Sequence, residues 1–305
     1  MGHEHHHHAA TGKNLFWTIL LNFGISLAEL IGGIISGSMS LISDAIHNFS
    51  DVISLIISYA ANKKAQTKPT EQHTFGYKRS EIMAAFINSA TLIVLAFFIL
   101  YEAVLRFVHP VVIKGNLVIY LAILSIAVNA LSVLFIQKDA EDNMNIKSAY
   151  IHLFGDMMTS VAVLIGGLLM KYFHIYWIDP VLSILIALYL LKISWEIFRS
   201  SLRIMMQFTP EHLDVKKIAQ DIMLIKGVKN IHHIHIWQIN EHDIMFEAHI
   251  DLIKDENISG FEKIMQQVKE KLADYGIQHI TLQPEFSVAD NKEIIVTNNN
   301  LKIKQ

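Results

Sequence analysis

Six membrane-spanning helices followed by a small cytosolic α+β domain is the fold class this chain predicts, and three observations carry that prediction. The 305 residues are 52% hydrophobic and only 17% charged, with a mean hydropathy of +0.36, outside the range of ordinary soluble chains. Six apolar runs each reach the about 20 helical residues that cross a hydrocarbon core about 30 Å thick. Apolar continuity then stops near Pro210, where shorter helix and strand periodicities take over.

Residues 1–14 form a His-rich tail that holds five of the 17 histidines in Met-Gly-His-Glu-His-His-His-His. It reads either as an expression tag or as a native metal-collecting segment. The first apolar run lasts too long for a signal peptide and lacks a small-residue cleavage site. The six-helix transmembrane domain then occupies 15–207, with spans at Leu15–Ile35, Leu41–Ala61, Ile82–Phe107, Leu117–Ile136, Ala149–Phe173 and Ile178–Leu202. Lys63, Lys64, Lys68, Lys78 and Arg79 lie between the second and third spans, whereas the loops on the opposite side offer little beyond Lys114. The positive-inside rule makes the basic loop cytoplasmic, and an even number of spans puts both termini in the cytosol.

The cytosolic domain is expected over 208–288. Leu213–Leu224 has the spacing of an amphipathic helix, and Val228–Asn240 alternates as a strand around Ile231, Ile234 and Ile236. Ile244–Leu252 is a second strand and Gly260–Tyr275 a helix with Phe261, Ile264, Val268 and Leu272 on its apolar face. Ile277–Phe286 is a third strand. The order αββαβ predicts a two-layer, ferredoxin- or metallochaperone-like domain, and 289–305 is expected as a tail.

The net charge of −3 gives no global pointer to nucleic acid, and the absence of cysteine removes disulfides and thiolate metal sites. His and carboxylate remain as the strong side-chain metal ligands. They recur where they are least expected. His47 and Asp51 lie four apart in the second span, on one helix face, and His152 and Asp156 repeat the spacing in the fifth. A charged group at the bilayer centre costs on the order of 2.5–3.5 kcal/mol on insertion scales, so Asp51 and Asp156 together cost roughly 5–7 kcal/mol unpaired. No lysine or arginine lies near the middle of either of these two spans to neutralise them. A divalent cation held by two imidazoles and two carboxylates would, as a charge-neutral tetrahedral set. Such a closed set lacks the open position of a hydrolytic zinc site, and no His-Glu-x-x-His or Gly-x-Ser-x-Gly motif is present. These features point away from an enzyme. Binding needs neutral His and ionised Asp, so metal and protons compete for the same groups, the minimum requirement for metal/proton exchange. Asp44, one turn before His47, either stages metal or serves packing and capping. Asn22, Glu29, Asn88 and Asn129 suit interhelical hydrogen bonding.

Several motifs in order carry a resemblance: Gly37-Ser38-Met39-Ser40-Leu41-Ile42-Ser43-Asp44-Ala45-Ile46-His47, His73-Thr74-Phe75-Gly76-Tyr77-Lys78-Arg79, His152-Leu153-Phe154-Gly155-Asp156, Ile178-Asp179-Pro180, and Ile231-His232-His233-Ile234-His235-Ile236-Trp237. Over nearly its whole length the chain resembles the cation diffusion facilitators, their zinc-exporting group in particular. The resemblance implies a homodimer in a lipid bilayer, here the bacterial cytoplasmic membrane, exporting Zn2+, and by extension Cd2+ or Co2+, from the cytosol in exchange for protons. It implies a transport site at His47, Asp51, His152 and Asp156, and a cytosolic zinc site at His232, His249 and Glu285. Gln283 stands where the family has a further histidine, with His279 close by in sequence. Of the family's loop site only His73 matches, with Thr70 and Tyr77 at the other positions and Glu71 as a substitute.

Overall fold

The computed structural model describes the backbone of residues 8–109, 111–140 and 144–295, and the side chains of 20–54, 56–109, 111–134 and 153–295. The chain divides into two compact units, one of residues up to Ala60 together with Ala84–Phe198, the other of Ala61–Met83 with Arg199 onward.

The first unit is helical, built from α1 (His8–Ser36), α2 (Met39–Ala65), α3 (Ser80–Val108), α4 (Gly115–Ala140), α5 (Met144–Phe173) and α6 (Ile178–Met205), with the end of α2, the start of α3 and the end of α6 falling in the second unit. Each helix matches one expected span and outruns it at one or both ends. In lipid every backbone N–H and C=O must be satisfied internally, so the helix continues past the apolar run to the interface. Five of them, α2 to α6, are long and apolar enough over their described residues to cross a membrane, and the described apolar part of α1 is Leu20–Ser36. Helix α1 packs along α4, and α4 along α5. Met39 and Leu41 of α2, Ile99 of α3, Val118 of α4, Met170 of α5 and Leu190 of α6 share one buried cluster. Outward-pointing Val94, Phe97, Phe98 and Tyr101 of α3 stay exposed, as lipid-facing residues should.

The turn between α1 and α2 is tightly specified. Gly37 sits at φ +78°, and a Cβ on Gly33 would come within 2.6 Å of the Ile42 side chain and 3.0 Å of its backbone nitrogen. The N-terminus of α2 is closed by a carboxylate from another helix. Asp179 accepts from Ser38 Oγ (2.5 Å), Met39 N (2.7 Å), Ser40 Oγ (2.6 Å) and Ser40 N (3.2 Å). Unpaired N–H groups and the helix dipole favour an anion there. The Gly37–Ser40 and Ile178–Pro180 motifs are two halves of one junction.

The second unit holds α7 (Val215–Met223), β1 (Val228–Gln238), β2 (Ile244–Leu252), α8 (Ile258–Ala273) and β3 (His279–Glu285), the expected αββαβ order. Asp214 and Asn257 cap the two helices, Asp214 Oδ1 accepting from Lys216 N and Lys217 N. The sheet order is β1-β2-β3, with β1 antiparallel and β3 parallel to β2. Ile218, Ile222, Ile231, Phe246, Ile250, Val268 and Leu272 join helices to one sheet face. The alternation expected in β1 is interrupted: Ile231 and Ile234 are both core residues although three apart. A bulge between His232 and His235, with His233 at φ +51°, absorbs the extra residue. Beyond β3, residues 290–294, expected as tail, lie back against β1: His233 N donates to Glu293 O (3.1 Å) and Ile234 N to Ile294 O (2.8 Å).

Candidate metal sites

Helix periodicity puts His47 and Asp51 on one face of α2, and α5 brings Asp156 opposite. His47 Nδ1 is 3.5 Å from Asp51 Oδ2, and His47 Nε2 is 3.4 Å from Asp156 Oδ1. One imidazole therefore lies between carboxylates of two helices, each ring nitrogen close to one of them. His47 and Asp156 are each 5% exposed, and Asp51 is intermediate. The fourth expected residue, His152, lies on α5 one turn before Asp156, but its side chain is outside the described residues. The rings of His47 and Tyr189 of α6 meet at 85°, with centroids 6.3 Å apart.

Asp44 is fully buried and accepts from Thr159 Oγ1 (3.0 Å) and Ser160 Oγ (3.2 Å) of α5, while Ser160 contacts Ser125 of α4 at 3.0 Å. Of the two readings of Asp44, packing has the geometry: it clamps α2 to α5 one turn from His47. Thr159 and Ser160 were not singled out by sequence, because two hydroxyl residues in an apolar helix carry no pattern of their own.

The second cluster lies on the sheet face opposite α7 and α8. Register pairs His232 with His249, and Asp251 with Glu285, and period two turns them to the same side. His249 Nδ1 is 2.7 Å from Glu285 Oε1, and His232 Nε2 is 3.5 Å from Glu285 Oε2. The three residues expected together are together. Asp290 joins them at 3.2 Å from His232 Nε2, and one ligand atom from each of His232, His249, Glu285 and Asp290 lies within 4.8 Å of the others. His232 Nδ1 and His249 Nδ1 are buried without a hydrogen bond of ordinary geometry. His232 Nε2 bonds Asp290 Oδ2, while His249 Nδ1 approaches Glu285 Oε1 without being aimed as a donor. His232, His249, Glu285 and Asp290 are an N2O2 donor set that suits zinc.

Sequence reasoning missed Asp290, Asp251 and Lys292 at this cluster. Lys292 Nζ is 2.8 Å from Asp251 Oδ1, 2.8 Å from Glu285 Oε2 and 3.4 Å from His232 Nε2, and it pairs with Asp290. Burial opposes ionisation of Asp290, but bonds from Lys292 and His232 outweigh it and hold its carboxyl below the usual range. Burial likewise opposes the Lys292 charge, and bonds to Asp251, Asp290 and Glu285 outweigh it, pushing its pKa up. Asp251 faces the other nitrogen of His232, Nδ1, at 3.4 Å. Asp-Asn-Lys after the last strand has no periodicity to single it out. Gln283 donates to Glu285 Oε1 (3.3 Å), and His279 lies opposite Met245 in register, outside the cluster.

His73 is exposed. It forms a backbone bridge with Thr70, its Nδ1 is 3.3 Å from Thr70 Oγ1, and its ring stacks on Tyr77 at 4.7 Å. Lys64 sits 4.1 Å over the same Tyr77 ring.

The family model described as "Cation efflux transmembrane domain" matches residues 15–206, and "Cation efflux protein, cytoplasmic domain" matches residues 210–287. The chain belongs to the cation efflux family. It is a multi-pass membrane transporter of the cation diffusion facilitator type, with its C-terminal domain in the cytoplasm. Among cation efflux relatives it is 34% identical to the "Cadmium, cobalt and zinc/H(+)-K(+) antiporter" of Bacillus velezensis, over 97% of this chain and 96% of that one. It is 32% identical to "Zinc transporter ZitB" of Pectobacterium atrosepticum (95% and 91%) and 30% identical to "Metal cation efflux system protein CzcD" of Cupriavidus metallidurans (96% and 92%).

Proposed function

We propose that this chain exports zinc from the cytosol in exchange for protons, as a homodimer that alternates between inward- and outward-facing states. The observation that carries the reading is His47, buried between apolar helices with its two ring nitrogens 3.5 Å from Asp51 and 3.4 Å from Asp156. His47, Asp51, His152 and Asp156 form the transport site in this reading. Two neutral imidazoles and two carboxylates balance a dication, and no thiolate is available to favour softer ions. When the ion leaves, the same groups are free to take protons, so outward metal movement is coupled to inward proton movement. A closed four-ligand set holds no activated water, which supports transport rather than catalysis. The names of the relatives support cadmium and cobalt as further substrates.

The functional division runs at 15–207 for the membrane domain and 208–288 for the cytosolic domain. His232, His249 and Glu285 hold a regulatory zinc in the latter, which strengthens the dimer; His73 is a candidate only for a separate loop site. The bacterial cytoplasmic membrane, with both termini inside, is the location. Reconstitution in liposomes with an imposed pH gradient tests the reading: Asp51→Ala and Asp156→Ala abolish gradient-driven zinc uptake. Wild-type flux in either variant overturns the transport site, and zinc flux indifferent to the gradient overturns proton exchange.

A further inference from the structure

The segment after β3 carries its own cation into the histidine cluster. Its backbone is pinned to β1 by the bonds from His233 N and Ile234 N, and Ile294 packs against the domain core. Between this anchor and β3, Lys292 spans Asp251, Glu285, Asp290 and His232 Nε2; it shares Glu285 Oε2 with His232, and the second oxygens of Asp251 and Asp290 face the same ring. Three carboxylates gathered on one sheet face repel one another unless a positive charge sits among them. A dication held there needs the same Glu285 and Asp290 carboxylates and is repelled by the ammonium.

We propose that residues 290–292 work as one device at the cytosolic zinc site: Asp290 is its fourth ligand, and Lys292 is a built-in placeholder that zinc must displace. The proposal rests on the reading of His232, His249 and Glu285 as zinc ligands. Two imidazoles with Glu285 and Asp290 close a neutral tetrahedral set around Zn2+. Asp251 then retains Lys292 and, through His232 Nδ1, orients the ring. The placeholder keeps the ligands gathered but lowers affinity, so the site fills only when cytosolic zinc is high enough to outcompete an ammonium held in place. Asp290 lies outside the elements that sequence assigned to the domain, so the last described residues become part of the sensor.

Zinc affinity of the full-length protein in lipid nanodiscs, titrated against a chelating indicator, tests this. Zinc lost on His249→Ala defines the cytosolic site; if that substitution removes none, the site reading falls and the proposal with it. Given the site, Lys292→Met is expected to tighten its zinc by about tenfold and Asp290→Asn to weaken it by tenfold or more, the range typical of groups at a metal's edge. Lys292→Arg keeps the positive charge and stays near wild type. Amide hydrogen exchange of β1 and β2 verifies that each variant is folded. Unchanged or weaker binding in Lys292→Met overturns the placeholder, and unchanged binding in Asp290→Asn overturns the fourth ligand.

Discussion

At the scale of residues, the proposed membrane site is defined by its donor atoms. His47 supplies borderline nitrogen between two hard carboxylates, and the chain has no cysteine thiolate to compete. Replacing it by a carboxylate hardens the set and adds a negative charge. His47→Asp is therefore expected to shift transport toward manganese or iron, read as the ratio of zinc to manganese flux in proteoliposomes; an unchanged ratio would mean that the imidazole does not select. The His47–Asp51 half of this geometry is legible in sequence, because four residues along a helix is a fixed displacement on one face. The approach of Asp156 is not, since nothing local states which helix packs opposite. The same holds for Asp290 and Lys292, whose partners His232 and Asp251 lie far earlier in the chain.

At the scale of elements, the junction of α2 with α6 fixes the start of the helix that carries His47 and Asp51. Asp179 is fully buried and accepts four hydrogen bonds from Ser38, Met39 and Ser40. Asp179→Ala removes the shared acceptor of two backbone N–H groups and two hydroxyls out of water. It is expected to cost on the order of 3 kcal/mol or more, given about 1.5–3 kcal/mol for a hydrogen bond to a charged group. Thermal unfolding in detergent should show the loss, and zinc flux should fall along with it. An unchanged melting temperature would mean that the cap is dispensable. Strand β1 shows the limit of reading by period alone: the bulge at His233 keeps Ile231, Ile234 and Ile236 in the core and turns His232 to the opposite face.

For the whole molecule, the basic loop between α2 and α3 belongs to the same compact unit as the C-terminal domain. Lys78 Nζ bonds Asp243 Oδ2 at 2.8 Å, and Asn240 Nδ2 bonds the same oxygen at 2.9 Å, tying the loop to the β1–β2 turn. The Lys78 bond holds the Asp243 carboxyl below its usual value of 3.8. A folded-state pKa below the unfolded one means that this tie contributes in full above about pH 4 and is lost as pH falls through the folded value. Both side chains are partly exposed, so a double-mutant cycle of Lys78→Ala and Asp243→Ala should give a coupling of only about 0.2–1 kcal/mol near neutral pH. The coupling should shrink in high salt and vanish in strong acid; one that survives both would not be an ion pair.

Sequence by itself determined the class of this protein. Apolar run lengths state how many segments suit a bilayer, period two and period 3.6 give the αββαβ order, and His-x-x-x-Asp within apolar runs puts an imidazole and a carboxylate on one helix face, because each is a local property of the chain. Only the tertiary structure decided which of these side chains meet. The stacking of α2 on α5 through Asp44, the capping of α2 by Asp179, the inclusion of 61–83 in the cytosolic unit and the return of Asp290 and Lys292 to β1 are contacts between residues far apart in the chain. Such contacts depend on packing and on satisfying buried polar groups, which leave no period behind.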